Sequence, residues 1–164
     1  MTLFALSLFL AFVLVVSAAH KLLAPERLAM ATAKLAGIQP AAGSLLSFAA
    51  AALEIVAALA LLFAESRMIG CAIAALLWAG YAILLARRIG TRLDCGCSFG
   101  RSEKPITRAI ASRAAGLAVI AIMSGILPSA PFSIDSLFAA AGFLALYLAL
   151  DELLAIPEPA WRHG

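Results

Sequence analysis

The sequence predicts an all-α membrane protein, an antiparallel bundle of four to five transmembrane helices in a single integral membrane domain over residues 1–164. Three observations lead there. Hydrophobic residues make up 65% of the chain, against roughly 45–50% in an ordinary soluble domain. Charged residues are only 13%, about half the usual share. The apolar residues are gathered into long uncharged runs, with a mean hydropathy of +1.06 overall. A soluble domain of this length has no interior large enough to hide so much apolar surface. Disorder is excluded too, because disordered chains are poor in hydrophobic residues. The runs are continuous and do not alternate, so a transmembrane barrel is not expected.

A membrane-crossing helix needs about 20 apolar residues with few charges. The first run is Thr2–Ala19, which carries no charge. Ser17-Ala18-Ala19 has the small residues of a signal-peptidase site. No Lys or Arg precedes the run, however, and it is longer than a usual signal core, so it is expected to stay as a helix. The second run, Ser44–Ala64, holds one charge, Glu54, near its middle. The third, Met68–Ala86, holds none, and the fourth, Ala109–Leu127, has Arg113 near its start. The fifth is uncharged only over Ser136–Leu150, about 22 Å of helix. It is placed at about residues 134–154 by including Asp151 and Glu152.

Between the first two runs, Pro25 suits the first turn of a helix and Gly37 its end. Leu28, Ala31, Thr32 and Leu35 recur at helical spacing, with Arg27 and Lys34 on the other side. A short helix over about 25–36 is expected, either lying in the membrane interface or simply connecting two spans. The three residues Glu65-Ser66-Arg67 force the second and third spans into a hairpin. The long polar segment is the loop at residues 87–107.

Basic residues mark the cytoplasmic side of a membrane protein. The loops after the first and third spans share one face and carry nine Lys and Arg, whereas the opposite face carries Arg67 alone. The amino terminus is therefore expected outside and the long loop inside, in the cell (inner) membrane. The basic residues have this membrane explanation, so no nucleic-acid partner is expected.

The chemistry-bearing residues are few. The long loop contains Asp94-Cys95-Gly96-Cys97. Glycine between the cysteines removes side-chain hindrance and lets the thiols approach. A disulfide across one residue closes a small, strained ring, and such bonds are the more oxidising and labile ones. Arg92, Arg101 and Lys104 nearby favour a thiolate. A redox dithiol at Cys95 and Cys97 is one reading, and two inert loop cysteines are another. A metal site would need Asp94, or His20 from the neighbouring loop, as further ligands. That spacing matches no usual zinc pattern, and no metal is expected.

Glu54 is a carboxylate at mid-membrane. Such groups are costly and are usually functional or paired. It is expected to face the bundle interior, near polar groups such as Ser7, Ser17 or Tyr81. There it would move protons, contact a bound quinone, or serve only as a helix-gluing hydrogen bond. Cys71 reads as a buried free cysteine, Trp78 and Tyr81 as packing residues, and His20 with Lys21 as an interfacial anchor.

The order of these features resembles the MauE family of methylamine-utilisation proteins, within the wider MauE/DoxX group of redox-associated membrane proteins. The resemblance is carried by His20-Lys21-Leu22 and the turn at Pro25, Pro40 before the glutamate-bearing span, Arg88-Ile89-Gly90 leading to the cysteine-glycine-cysteine motif, and Arg108 and Arg113 opening the next helix. It covers roughly residues 3–127. One departure is visible. The family pattern runs Asp-Cys-Gly-Cys-Phe-Gly, whereas here Ser98 intervenes before Phe99-Gly100.

The resemblance implies a role in disulfide formation and maturation of the small, disulfide-rich subunit of methylamine dehydrogenase, with a thioredoxin-like, MauD-like partner. Cys95 and Cys97 would then be the working thiols, with Glu54 as a proton site or quinone contact. A non-enzymatic scaffold or chaperone for the same partner is the alternative, and a small transporter using Glu54 is a third. Disulfide maturation takes place outside the cytoplasm, while the charge asymmetry puts the cysteine loop inside. A relay across the bilayer, a loop folded back into the bundle, or a failure of the charge rule would each reconcile the two.

Overall fold

A computed structural model of the chain describes residues 2–93, 104–128 and 133–154. Six helices build it: α1 (Thr2–Leu23), α2 (Pro25–Ala36), α3 (Pro40–Leu62), α4 (Arg67–Ala86), α5 (Arg108–Ile126) and α6 (Ile134–Leu154). Between α4 and α5 stand two short strands, β1 (Arg92–Leu93) and β2 (Lys104–Pro105). Four helices, α1, α3, α4 and α5, are long and apolar enough to cross a membrane, and α6 is apolar over the shorter stretch Ile134–Leu150. The chain is a multi-pass, all-α membrane bundle.

The break between α1 and α2 has a local cause. Pro25 has no N–H to give to the preceding turn. The helical bonding otherwise nearly continues, from Ala24 N to His20 O at 3.2 Å and from Leu28 N to Ala24 O at 3.1 Å. Gly37 ends α2 in the left-handed region, φ 71°, with its N–H on Ala33 O at 2.8 Å. A side chain would be strained there. Gln39 is extended, as a residue before proline prefers, and Pro40 opens α3.

The bent pair α1–α2 lies antiparallel to α3. The first half of α3 packs on α2 and the second half on α1. Small residues permit the approach: a Cβ at Gly43 would sit 2.6 Å from both Ala29 O and Ala33 Cβ. Thus α2 is docked along α3, burying Leu28, Ala29, Ala31 and Ala33. The α3–α4 hairpin is as tight, since a Cβ at Gly70 would lie 2.8 Å from Leu61 N.

Helix α4 packs in turn on α5, and α6 covers α1. The core where these helices meet includes Leu10, Leu14, Ala57, Leu61, Trp78 and Ala121. Lipid tails are as apolar as leucine, so close van der Waals packing of small residues holds such helices together, not transfer from water. Large side chains such as Leu45, Leu59, Ile122 and Leu146 accordingly point outward.

Opposite ends of the bundle are fastened by arginines. Arg67 Nη1 and Nη2 donate to Ser124 O at 2.8 Å and Leu127 O at 2.7 Å, closing the carboxyl end of α5. At the other end, Arg88 Nε donates to Leu35 O at 3.3 Å. There β1 and β2 pair antiparallel, Arg92 with Pro105 and Leu93 with Lys104. Gly90 N to Ile106 O and Ile106 N to Thr91 O, both 2.9 Å, extend the clasp. The root of the long loop is thereby closed and seated beside α2.

Candidate functional site

The polar centre of the bundle is Glu54, fully buried on α3. Its Oε1 accepts hydrogen bonds from Ser17 Oγ at 2.9 Å, Lys21 Nζ at 2.8 Å and Tyr81 Oη at 2.9 Å. Its Oε2 accepts from Lys21 Nζ at 2.9 Å. Lys21 Nζ also donates to Ser17 Oγ at 2.8 Å and stands 5.4 Å from the centre of the Tyr81 ring. Three helices, α1, α3 and α4, thus converge on one carboxylate.

The local reasons are simple. Ser17 and Lys21 are four residues apart on α1, hence on one face. The antiparallel run of α1–α2 against α3 brings that face level with Glu54. An unpaired carboxylate at this depth would be expensive, whereas a hydrogen-bonded ion pair is neutral overall. Tyr81 adds a hydroxyl that can donate or accept.

Of the three neighbours expected for Glu54, Ser17 and Tyr81 touch it, while Ser7 Oγ is buried elsewhere on α1 without a hydrogen-bond partner among the described residues. Lys21 is the residue that sequence reasoning misses. Read as an anchor at the end of an apolar run, it is instead the ion-pair partner of Glu54. Two signals point to it: a mid-span carboxylate needs a cation, and Lys21 shares a helix face with Ser17. Its neighbour His20 accepts from Arg27 Nη2 at 2.9 Å. Trp78 is buried in the core, in keeping with a packing role.

Two cavities flank this centre. The larger, about 260 Å³, lies between α2, α3 and α4. The stripe Leu28, Ala31, Thr32 and Leu35 of α2 lines it, together with Leu53 and Gly80, and its polar residues are Lys21, Thr32, Ser47 and Tyr81. The smaller, about 70 Å³, is lined by Ser17, His20, Arg113 and Tyr147. There the Arg113 guanidinium lies 5.2 Å from the Tyr147 ring centre. Tyr81 borders both.

Cys95 and Cys97 lie outside the described residues, as do Asp94 and Arg101. Their loop springs from the clasp at Leu93 and Lys104. Cys71 is a buried free thiol at the other end of α4, packed where α5 carries Gly125, whose added Cβ would lie 3.2 Å from Cys71 Cβ. Among the described residues, no three His, Cys, Asp or Glu side chains gather as metal ligands would.

A family model described as methylamine utilisation protein MauE matches residues 1–128. The match takes in α1 to α5 and the whole cysteine loop. No curated protein and no solved structure matches the chain.

Proposed function

The chain belongs to the family of methylamine utilisation protein MauE, and from that premise we propose that it is the membrane component of a thiol–disulfide redox and maturation system. The working groups are Cys95 and Cys97. A thiolate of the pair attacks the disulfide of a thioredoxin-like, MauD-like partner and forms a mixed disulfide. The second thiol of the pair attacks the sulfur of that mixed bond and releases the partner. The chain's dithiol has become a disulfide and the partner's disulfide a dithiol, so the exchange balances. It runs in either direction with the potentials of the two pairs. Glu54, held by Lys21, is the proton site that serves this chemistry.

The observation that carries the reading is the pairing of a close cysteine motif with a closed loop root. Asp94-Cys95-Gly96-Cys97 begins directly after Leu93, the last residue of β1 in the β1–β2 clasp. A second support is Glu54 itself, an intramembrane carboxylate with a cation beside it. The client would be a disulfide-rich protein such as the small subunit of methylamine dehydrogenase. The nine-to-one distribution of basic residues favours a cytoplasmic loop and an external amino terminus in the inner membrane.

Replacing both cysteines by serine tests the reading. Client disulfides should then fail to form in cells while the variant remains in the membrane at normal level. Full client maturation by the C95S/C97S protein would overturn the redox role and leave a scaffold for the partner in its place.

A further inference from the structure

The larger cavity runs between α2, α3 and α4 to the root of the cysteine loop, and a cation stands at that end. We propose that it holds one acyl chain of an anionic phospholipid whose phosphate lies on Arg88. The site goes beyond the thiol–disulfide reading and does not depend on it.

The inner end of the cavity suits an alkyl chain. Lys21 Nζ donates to Ser17 Oγ and to both oxygens of Glu54, and Tyr81 Oη donates to Glu54 Oε1. Those donors are spent within the protein, so methylenes placed against them strand no hydrogen bond. Thr32 and Ser47 stand on helices, where a hydroxyl can turn to the carbonyl one turn back. The rest of the wall is leucine, alanine and Gly80.

Shape and access agree. Along α4 the lining extends from Leu76 to Leu85, about 14 Å of helix. A volume of about 260 Å³ over that length is a narrow slot. A partner helix, about 10–12 Å across with its side chains, is too wide for it, whereas a single alkyl chain is not. Leu46, Leu53 and Leu76 line the slot and are exposed on the bundle surface, so a chain enters sideways from lipid.

The outer end supplies the charge. Leu35 and Leu85 line the cavity there, and Arg88 Nε donates to Leu35 O at 3.3 Å. The guanidinium also lies against the end of α2, since a Cβ at Gly37 would sit 2.8 Å from Arg88 Nη2. Among the described residues Arg88 donates only through Nε, which leaves Nη1 and Nη2 for a ligand. Such a planar fork matches a phosphate. Lys34, in the last turn of α2, and Arg87 are exposed and add positive charge. The acids of α2, α3 and α4 are Glu26, in the first turn of α2, and Glu54, which Lys21 neutralises. Basic pockets between membrane helices take the head groups of anionic lipids in this way. A zwitterionic lipid brings an ammonium with its phosphate and gains less. The bound lipid would touch three helices beneath the β1–β2 clasp and so seat the loop root.

Native mass spectrometry tests the site. Full-length protein would be taken from phosphatidylcholine nanodiscs doped with phosphatidylglycerol, washed in detergent and weighed. One phosphatidylglycerol should stay with each chain, and equally in the C95S/C97S protein. Retention should fall at least tenfold in Gly80→Phe, which fills the slot where an added Cβ meets nothing within 4 Å. It should fall as well in Leu46→Trp, which narrows the mouth from an exposed position. Arg88→Gln should abolish the preference for phosphatidylglycerol over phosphatidylcholine. Arg108→Gln should not, since Arg108 is an exposed cation at the start of α5 that does not line the cavity. Unchanged circular dichroism of lipid-free Gly80→Phe protein would show that the fold survives; if it does not survive, Leu46→Trp decides. Three results would each overturn the site. One is lipid retained regardless of the slot variants, as a loose surface layer would be. Another is a loss of preference in Arg108→Gln equal to that in Arg88→Gln. The last is displacement of the lipid by chainless glycerol phosphate as readily as by phosphatidylglycerol.

Discussion

Lys21 and Glu54, thirty-three residues apart in sequence, form an ion pair at 2.8 Å inside the bundle, with the carboxylate fully buried. It is a device of register as much as of chemistry. Apolar helices surrounded by lipid can slide or rotate at small cost, because each face is acceptable to the solvent. A single buried pair with two further polar partners, Ser17 and Tyr81, fixes how α1, α3 and α4 face one another.

The first prediction concerns that pair. Removing one partner of a buried ion pair typically costs about 3–5 kcal/mol, because the other charge is stranded. Lys21→Met and Glu54→Leu should each lower the melting temperature in detergent markedly. The double variant should melt above the sum expected from the two single losses. Strict additivity would mean that the two side chains do not interact.

The second separates two kinds of glycine. A Cβ at Gly43 would enter the space of Ala29 O and Ala33 Cβ, and overpacking of this sort costs about 1–3 kcal/mol. Gly43→Val should therefore loosen α2 from α3. At Gly80 nothing stands in the way, and replacing a helical glycine by alanine gains roughly 0.5–1 kcal/mol. Gly80→Ala should be neutral or slightly stabilising. Equal damage from the two substitutions would contradict the α2–α3 contact.

The all-helical, multi-pass architecture was legible in the sequence, because uncharged runs of membrane length have few other uses. The identity of the mid-span carboxylate as a buried group was legible too, from its cost alone. Its cation was not. In a helix that is apolar all round, periodicity does not say which face looks inward. Lys21 stands at the end of its run, where an anchor reading is the natural one, and only the pairing with α3 reveals its partner. The cavity was likewise invisible. Leu28, Ala31, Thr32 and Leu35 showed that α2 has an apolar side, but what that side faces depends on the angle at Pro25, set by the packing of three helices.

The third prediction concerns the far end. Arg67 donates to two carbonyls at the end of α5. Hydrogen bonds from a charged donor contribute about 1.5–3 kcal/mol, and a cation at a helix carboxyl end adds to them. Arg67→Met should speed hydrogen exchange at the amides of Ile126 and Leu127 with little change near Glu54. Arg67→Lys should restore only part of the protection, since lysine lacks the two-pronged planar donor. Protection unchanged in Arg67→Met would remove this cap.

The last prediction assigns different fates to the three cysteines. Cys71 is 2% exposed and lies in the first turns of α4, whereas the loop follows the other end of that helix. From Cys71 to Ala86 is about 22 Å of helix, so a disulfide between Cys71 and the loop, which needs Cα atoms within about 7 Å, is not expected. Gly96 lets Cys95 and Cys97 meet, and the small ring that results should be strained and readily reduced. In oxidising buffer, alkylation and mass spectrometry should find Cys95 and Cys97 linked and Cys71 protected from reagent until the protein is denatured. In graded glutathione buffers the link should open at a potential above about −300 mV, the level below which structural disulfides usually lie. In intact cells an impermeant thiol reagent should miss the pair and label it after lysis, as the basic loop requires. A Cys95–Cys97 link that never forms, or that survives strong reductants, would end the redox role of the loop, while the Lys21–Glu54 site would stand without a thiol to serve.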